Sequence, residues 1–278
     1  MEFLKTGTGV AVTGVCDFDL PRIFECGQCF RWDPDENGVY TGVAFGRAAK
    51  IEKHGDDILI TCTGDDFENI WRGYFDLDLD YAGIRRSLCI NDYMCAAAEF
   101  GAGIRILRQD PWEALCSFII SQCNNIPRIK KIIETLCGLY GSRFSALGGE
   151  FYAFPDAETL ASLSPDDLAP LRCGYRAPYI IDAARAVSEG RIDLCSLSKG
   201  DPETALKSLK TLNGVGDKVA NCAVLFGLHM LDAFPVDVWM KRAISNHCGP
   251  DFDPSVFSPY AGIAQQYMFY YERIGASD

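Results

Sequence analysis

Long apolar runs are absent from this 278-residue chain; none approaches the ~20 residues that a membrane-spanning helix needs. The N-terminus, MEFLKTGTGVAVTGV, has no basic flank followed by an apolar stretch, so no secretory leader is expected. Positive charge is scarce, with 26 Lys and Arg against 38 Asp and Glu and a net charge of −12. That balance argues against a protein that coats nucleic acid, because phosphate contacts need cations, but it allows a local basic patch. Histidine is rarer still. His54, His229 and His247 stand apart from any cysteine or carboxylate at ligand spacing, so neither a metal site nor a cofactor is expected. Tandem repeats and low-complexity linkers are also lacking.

Cysteine, by contrast, is plentiful: thirteen residues, odd in number and scattered. Without an export signal, reduced thiols in an intracellular compartment are expected rather than a disulfide framework. That compartment would be the cytoplasm or nucleoid of a bacterium, or the nucleus of a eukaryote. Cys26 and Cys29 form a C-x-x-C pair, CGQC. A thioredoxin-like site places such a pair at a strand-to-helix turn of a βαβ unit. Here it leads into FRW and a DPDENG turn instead, and an exposed, acidic Cys29 thiol would be needed to support the redox reading.

Residues from about 8 to 64 read as strands: GVAVTGV, CFRWDP, GVYTGVAFG, AAKIEKHG and DILITCT are rich in β-branched and aromatic residues and separated by Gly and Asp/Asn turns. From Asp65 the spacing turns helical, with Phe67, Ile70, Trp71 and Phe75 on one face. Further helices are expected at 91–100, 112–123, 127–140, 176–188, 202–210, 217–229, 237–246 and 258–272. Strands followed by a run of helices predict an α+β chain, with an antiparallel sheet domain with following helices over 1–90 and a helical domain over 91–278. Basic residues gather in the second half, at Arg128, Lys130 and Lys131, Arg172 and Arg176, Lys207 and Lys210, and Lys241 and Arg242. Solvated helix faces account for some of these equally well.

The stretch LKSLKTLNGVGDKVANCAVLFGLHMLDAFPVDVWMKRAI carries the chemistry. A helix ends near Leu212. Gly214 and Gly216 then permit a sharp turn, and a second helix opens at Asp217. Backbone N–H groups at such a helix start, together with its dipole, bind phosphate. Lys218 sits in the opening turn, where the dipole disfavours a cation and favours the free amine that a nucleophile needs; a surface lysine facing solvent fits the spacing equally. Nineteen residues on, Asp237 in FPVDVW is placed to cap the next helix. Its ionised carboxylate could stabilise a cationic transition state or serve only as a cap.

Together, L-x-G-V-G-x-K followed by P-V-D-V resembles the helix-hairpin-helix DNA glycosylases, whose bifunctional members carry lysine at this hairpin position. After Asp237 the chain holds only Cys248, so it lacks the four-cysteine iron–sulfur cluster of the endonuclease III-like and adenine-specific members. CGQCFRW, ILRQDPWEALCSFIISQCNNIPRI, GYRAPYI, the hairpin, PVDV and PYAGIAQQYMF follow in the order of the 8-oxoguanine glycosylases, and that resemblance covers nearly the whole chain.

The resemblance implies a monomer acting on damaged double-stranded DNA, excising 8-oxoguanine through attack of Lys218 on C1′ with help from Asp237, followed by β-elimination. It assigns the base pocket to Gly27, Phe30, Cys222, Gln265 and Phe269. The Gly27 carbonyl would accept from the N7 proton that distinguishes 8-oxoguanine from guanine, and a side chain at that position would crowd the base. Cys222 and Phe269 would sandwich the purine, and Gln265 would read its edge. Residue types alone would place Cys222 and Phe269 in the core. On the DNA side the resemblance assigns Asn124, Asn125, Arg128, Tyr175, Arg176, Gly214, Gly216 and Trp239. Tyr175 would be the wedge, and the two arginines would face an orphaned cytosine, whose acceptors suit them. Cys123 stands where many relatives have asparagine, and Trp239 where some have a phosphate-contacting histidine. The rivals are a glycosylase of the same fold with another lesion preference, and a non-catalytic module that uses the hairpin only to hold DNA.

Overall fold

β-Branched and aromatic alternation near the N-terminus folds, in the computed structural model, into a six-stranded antiparallel sheet; the structure describes residues 1–275. The strands are β1 (Glu2–Lys5), β2 (Val10–Thr13), β3 (Trp32–Pro34), β4 (Tyr40–Ala44), β5 (Arg47–His54) and β6 (Asp57–Thr61), ordered β1-β2-β6-β5-β4-β3. Register places Val10 opposite Ile60, Val12 opposite Ile58 and Tyr40 opposite Ile51, so one face of the sheet is a continuous apolar surface. The helical segment read from Asp65 packs against it. It runs through Gly64–Asp66, a widened π turn at Phe67–Trp71 and Arg72–Tyr74, and it buries Phe67, Trp71 and Phe75, with Ile70 half-buried.

This face admits little change. The Trp32 indole donates to the Tyr74 hydroxyl at 2.8 Å and lies flat over Gly42, where a Cβ would overlap the ring. Gly42→Ala is therefore expected to cost about 1–3 kcal/mol through overpacking. The check is a lowered denaturant midpoint with unchanged slope.

The helical half surrounds Pro111–Ser121, whose residues Ala114 through Ile120 are all buried. Around it stand Asp92–Phe100, Ile126–Tyr140, Ala177–Ser188, Pro202–Leu209, Asp217–Cys222, Val238–Ala243 and Ala261–Ile274. The helices expected at 217–229 and 237–246 each end in a π turn, at Ala223–Gly227 and Ile244–Cys248. Side-chain caps from Asn91, Asp110, Asn125, Asp201 and Asp237 start five of these helices.

Several elements lie beyond the sequence reading. β1 and the short helix Leu20–Phe24 flank β2. Tyr81–Ser87 and Ala157–Ala161 are short helices. β7 (Arg143–Ala146) and β8 (Gly149–Tyr152) form a hairpin through Leu147 and Gly148, both at positive φ. A two-residue turn with leucine in a left-handed conformation lacks the Asn-Gly or Asp-Gly signature by which such hairpins are read.

The expectation of reduced thiols is corrected at one pair: Cys89 and Cys95 are joined in a disulfide, and the other eleven cysteines are free. The turn into the Asn91-capped helix brings their Cα atoms within 4.4 Å. The thiol-redox reading of CGQC falls. Cys26 and Cys29 are both buried and unlinked. Burial pushes the Cys26 thiol up to about 11, and raises Cys29 well above the ordinary thiol range.

Candidate active site

The hairpin forms as its glycines require. Gly214 takes a φ of +76° directly beneath the Tyr179 ring, where any Cβ would overlap the ring. Gly216 precedes the second helix in extended conformation, with no side chain capping the helix and open space around it. The first-turn N–H groups are thus left approachable. Lys218 is half-buried in that turn, its Nζ 5.3 Å from the centroid of the Phe118 ring. Cys222, one turn on, is buried. Burial raises the Cys222 thiol above its usual range; the neighbouring Lys218 ammonium opposes that rise and Asp237 adds to it. Cys222 is therefore a neutral wall at neutral pH.

Asp237 is the cap that the sequence suggests. Its Oδ1 accepts from the backbone N–H groups of Trp239 and Met240, both at 2.9 Å. Oδ2 makes no hydrogen bond to the described residues. Lys218, Asp237, Cys222, Gln265, Phe269 and Gly27 line one cleft. The cleft opens to solvent, and its volume of about 50 Å³ is room for a few waters. Half-buried Phe269 forms the wall nearest solvent on the last helix, with the Arg273 guanidinium against its ring. A larger open groove of about 720 Å³ lies between the Lys5–Gly9 loop and the β7–β8 turn. Neither Lys218 nor an unpartnered buried side-chain atom faces it.

Gln265 supplies the most telling detail. It is 4% exposed, and its Oε1 is buried without a hydrogen-bond partner among the described residues. An unpaired buried acceptor costs roughly 1–3 kcal/mol. Of the three unpaired buried side-chain atoms among the described residues, Trp71 Nε1, Tyr267 Oη and Gln265 Oε1, only the last belongs to a residue lining the cleft, where a donor from a ligand can reach it. Its neighbour Gln266, which the sequence reading missed, donates from Nε2 to the Cys26 carbonyl at 3.3 Å. Gln28 is fully buried, donating to the Ile23 and Arg105 carbonyls at 2.9 and 2.8 Å and accepting from the Leu107 N–H at 2.9 Å. The Gly27 backbone is thereby pinned on both sides. Its φ of +92° is what demands glycine, since a Cβ would meet only ordinary contacts at 3.7 Å.

Two of the assigned residues lie away from the cleft and the outer surface. Phe30 does not line the cleft: it is buried edge-on against Phe118, with centroids 6.0 Å apart, and forms part of the core behind the wall. Arg176 does not face outward. It is 4% exposed, and its guanidinium donates to the carbonyls of Gln122, Cys123 and Cys173. That commitment satisfies a buried cation and shapes the turn after Ser121.

The other outer residues gather around the same turn. Asn124 donates to Ile120 at 3.2 Å, Asn125 caps Ile126–Tyr140, and Cys123 takes a positive φ of 46°. Tyr175 is half exposed, its ring 4.4 Å from the Arg176 guanidinium carbon. Arg128 is exposed and donates to the Arg172 carbonyl at 3.0 Å. Trp239 lies beyond Asp237, with the Arg242 guanidinium 5.0 Å from its centroid. Cys26, Phe118, Phe226, Pro235 and Gln266 complete the cleft. Of Phe118, Phe226 and Pro235, only Phe226, four residues beyond Cys222, carried a helical-spacing signal.

This arrangement matches known families along most of the chain. Residues 12–115 match the 8-oxoguanine DNA glycosylase N-terminal domain, and residues 116–256 match the HhH-GPD superfamily of base excision DNA repair proteins. An N-glycosylase/DNA lyase of Saccharomyces cerevisiae is 33% identical over 80% of this chain, which spans 66% of that protein's length. The solved structure of MBOgg1 with a low affinity DNA ligand superposes with a TM-score of 0.94 at 42% identity, covering 99% of both chains. The Clostridium acetobutylicum 8-oxoguanine glycosylase/lyase, solved with duplex DNA holding cytosine opposite 8-oxoG, gives 0.93 at 37% identity, again over 99% of both. With an antiparallel sheet domain leading into a hairpin-bearing helical domain, the chain belongs to the 8-oxoguanine DNA glycosylases of the HhH-GPD superfamily of base excision DNA repair proteins.

Proposed function

We propose that this chain excises 8-oxoguanine from duplex DNA and then cleaves the strand as a lyase. The observation that carries the reading is the unpartnered Gln265 Oε1, buried in the cleft that also holds Lys218 and Asp237. A guanine-type base presents N–H donors on its Watson–Crick edge, and a base turned out of the stack into this cleft satisfies that acceptor. In the step proposed, the Lys218 amine forms a bond to C1′ as the C1′–N9 bond breaks, and the bonding pair leaves with the base. The ionised Asp237 carboxylate stabilises the positive charge that develops on the sugar. Loss of the nitrogen proton and opening of the sugar ring give a Schiff base. Removal of a C2′ proton then expels the 3′-phosphate.

Selection against guanine rests on the pinned Gly27 carbonyl, which accepts from N7–H of the lesion and repels the N7 lone pair of guanine. For the partner strand, Arg128 is the arginine that supports a preference for cytosine, because it is exposed and spends one donor on the Arg172 carbonyl, whereas Arg176 is buried and donates to three carbonyls. Trapping with borohydride tests the reading on a duplex with one 8-oxoguanine opposite cytosine. A covalent adduct is expected, with slower excision opposite the other three bases. Base release without an adduct would make the enzyme monofunctional, neither would sink the substrate assignment, and equal excision opposite all four bases would remove the cytosine preference.

A further inference from the structure

Beside the cleft stands a cation that the reaction as described leaves unused. Arg273 follows Phe269 by one helical turn, and its guanidinium carbon lies 5.7 Å from the Phe269 ring centroid. Its Nη1 lies 3.7 Å from the point a Cβ on Gly27 would occupy. Its charge also lowers the buried Cys26 thiol next to Gly27, against the larger effect of burial. In this acidic chain seven arginines hold a carboxylate, and buried or half-buried Arg22, Arg105 and Arg176, which hold none, donate to backbone carbonyls instead. Arg273 holds none among the described residues, though it is half-buried. A guanidinium carries five donors in a rigid fork, and this one, behind two residues that line the cleft, Gly27 and Phe269, is available to an acceptor that reaches past them.

We infer that Arg273 is a recognition residue for the base, donating to a carbonyl oxygen on the purine edge that Gly27 faces. The inference rests on the proposed 8-oxoguanine reading. The edge of that lesion presents N7–H between two acceptors, O6 and O8. If the Gly27 carbonyl takes the central proton, a cation beside Gly27 meets an oxygen on either flank. The contact also gains strength during the reaction, because the pair leaving with the base loads negative charge onto it. Phe269 and Arg273 then form one unit, the ring closing over the purine face while the guanidinium reads its edge.

The test uses the full chain and compares two reactions under single turnover: excision of 8-oxoguanine opposite cytosine, and strand cleavage at a preformed abasic site, which has no base to contact. Arg273→Leu keeps an apolar cover on Phe269 and is expected to slow excision roughly 10- to 100-fold, the loss of a charged hydrogen bond. Abasic-site cleavage is expected to stay at the wild-type rate, and Arg273→Lys to recover part of the excision. Wild-type excision by Arg273→Leu would overturn the assignment, as would equal loss in both reactions, which marks a backbone contact or a structural role. A wild-type protein that cleaves abasic sites but leaves 8-oxoguanine in place would instead overturn the substrate reading on which the assignment rests.

Discussion

Replacing Lys218 with glutamine is expected to abolish the borohydride-trapped adduct and to slow base release by roughly 10³-fold or more, the scale on which removal of a nucleophile acts. The geometry makes the substitution clean. Lys218 touches side chains that glutamine can still reach: its Nζ lies 5.3 Å from the Phe118 ring centroid, and it hydrogen-bonds the Cys222 thiol one turn on. A cation–π contact of this kind is worth about 0.5–1 kcal/mol when partly exposed. Gly214 and Gly216, which shape the turn, are untouched, so affinity for an abasic-site duplex should persist. Lys218→Gln that still formed the adduct would show that another amine attacks.

Asp237→Asn separates the two roles that meet in one carboxylate. Asparagine caps helices about as well as aspartate, and Oδ1 already takes both capping N–H groups. The stability loss should therefore stay near the ~0.3–1 kcal/mol that a charge at a helix N-terminus contributes. Excision, however, loses the anion that faces the developing sugar cation and is expected to fall about 10²–10³-fold. Asp237→Ala should match that rate loss and add about 0.5–2 kcal/mol of destabilisation from the missing cap. If Asp237→Asn kept full activity at reduced stability, Asp237 would be a cap and nothing more.

Much of the site was legible because its parts are local. The hairpin is written in two glycines and a lysine within five residues, and the cap in a Pro-Val-Asp run before a helix. Lys218 with Cys222, and Gln265 with Phe269, share faces by i, i+4 spacing alone. The sheet was readable from β-branched and aromatic runs between Gly and Asp/Asn turns, and β2 and β6 bury alternate residues. β1 was missed because it is an edge strand with three of its four residues exposed, so no buried face patterns its sequence. The Cys89–Cys95 link was missed because spacing says nothing of how a turn folds back.

Residue types and spacing by themselves determined the α+β order, the glycine hairpin, the capped helix after it and the pairs that share a helical face, because helix and strand periods place neighbours without reference to the rest of the chain. Only the tertiary structure decided that Phe30 turns into the core, that Arg176 is bonded to the turn at Gln122–Cys123, that Gln28 and Gln266 pin Gly27, and that Gln265 keeps a buried acceptor open. Each of these outcomes depends on which of two available environments a side chain reaches. Contacts such as Arg273 beside Gly27 join residues far apart in the chain, and no local period encodes them. Burial settles Phe30, and the pairing of buried polar groups settles Arg176, Gln28 and Gln266, while Gln265 departs from that rule at the cleft; all are properties of the packed molecule as a whole.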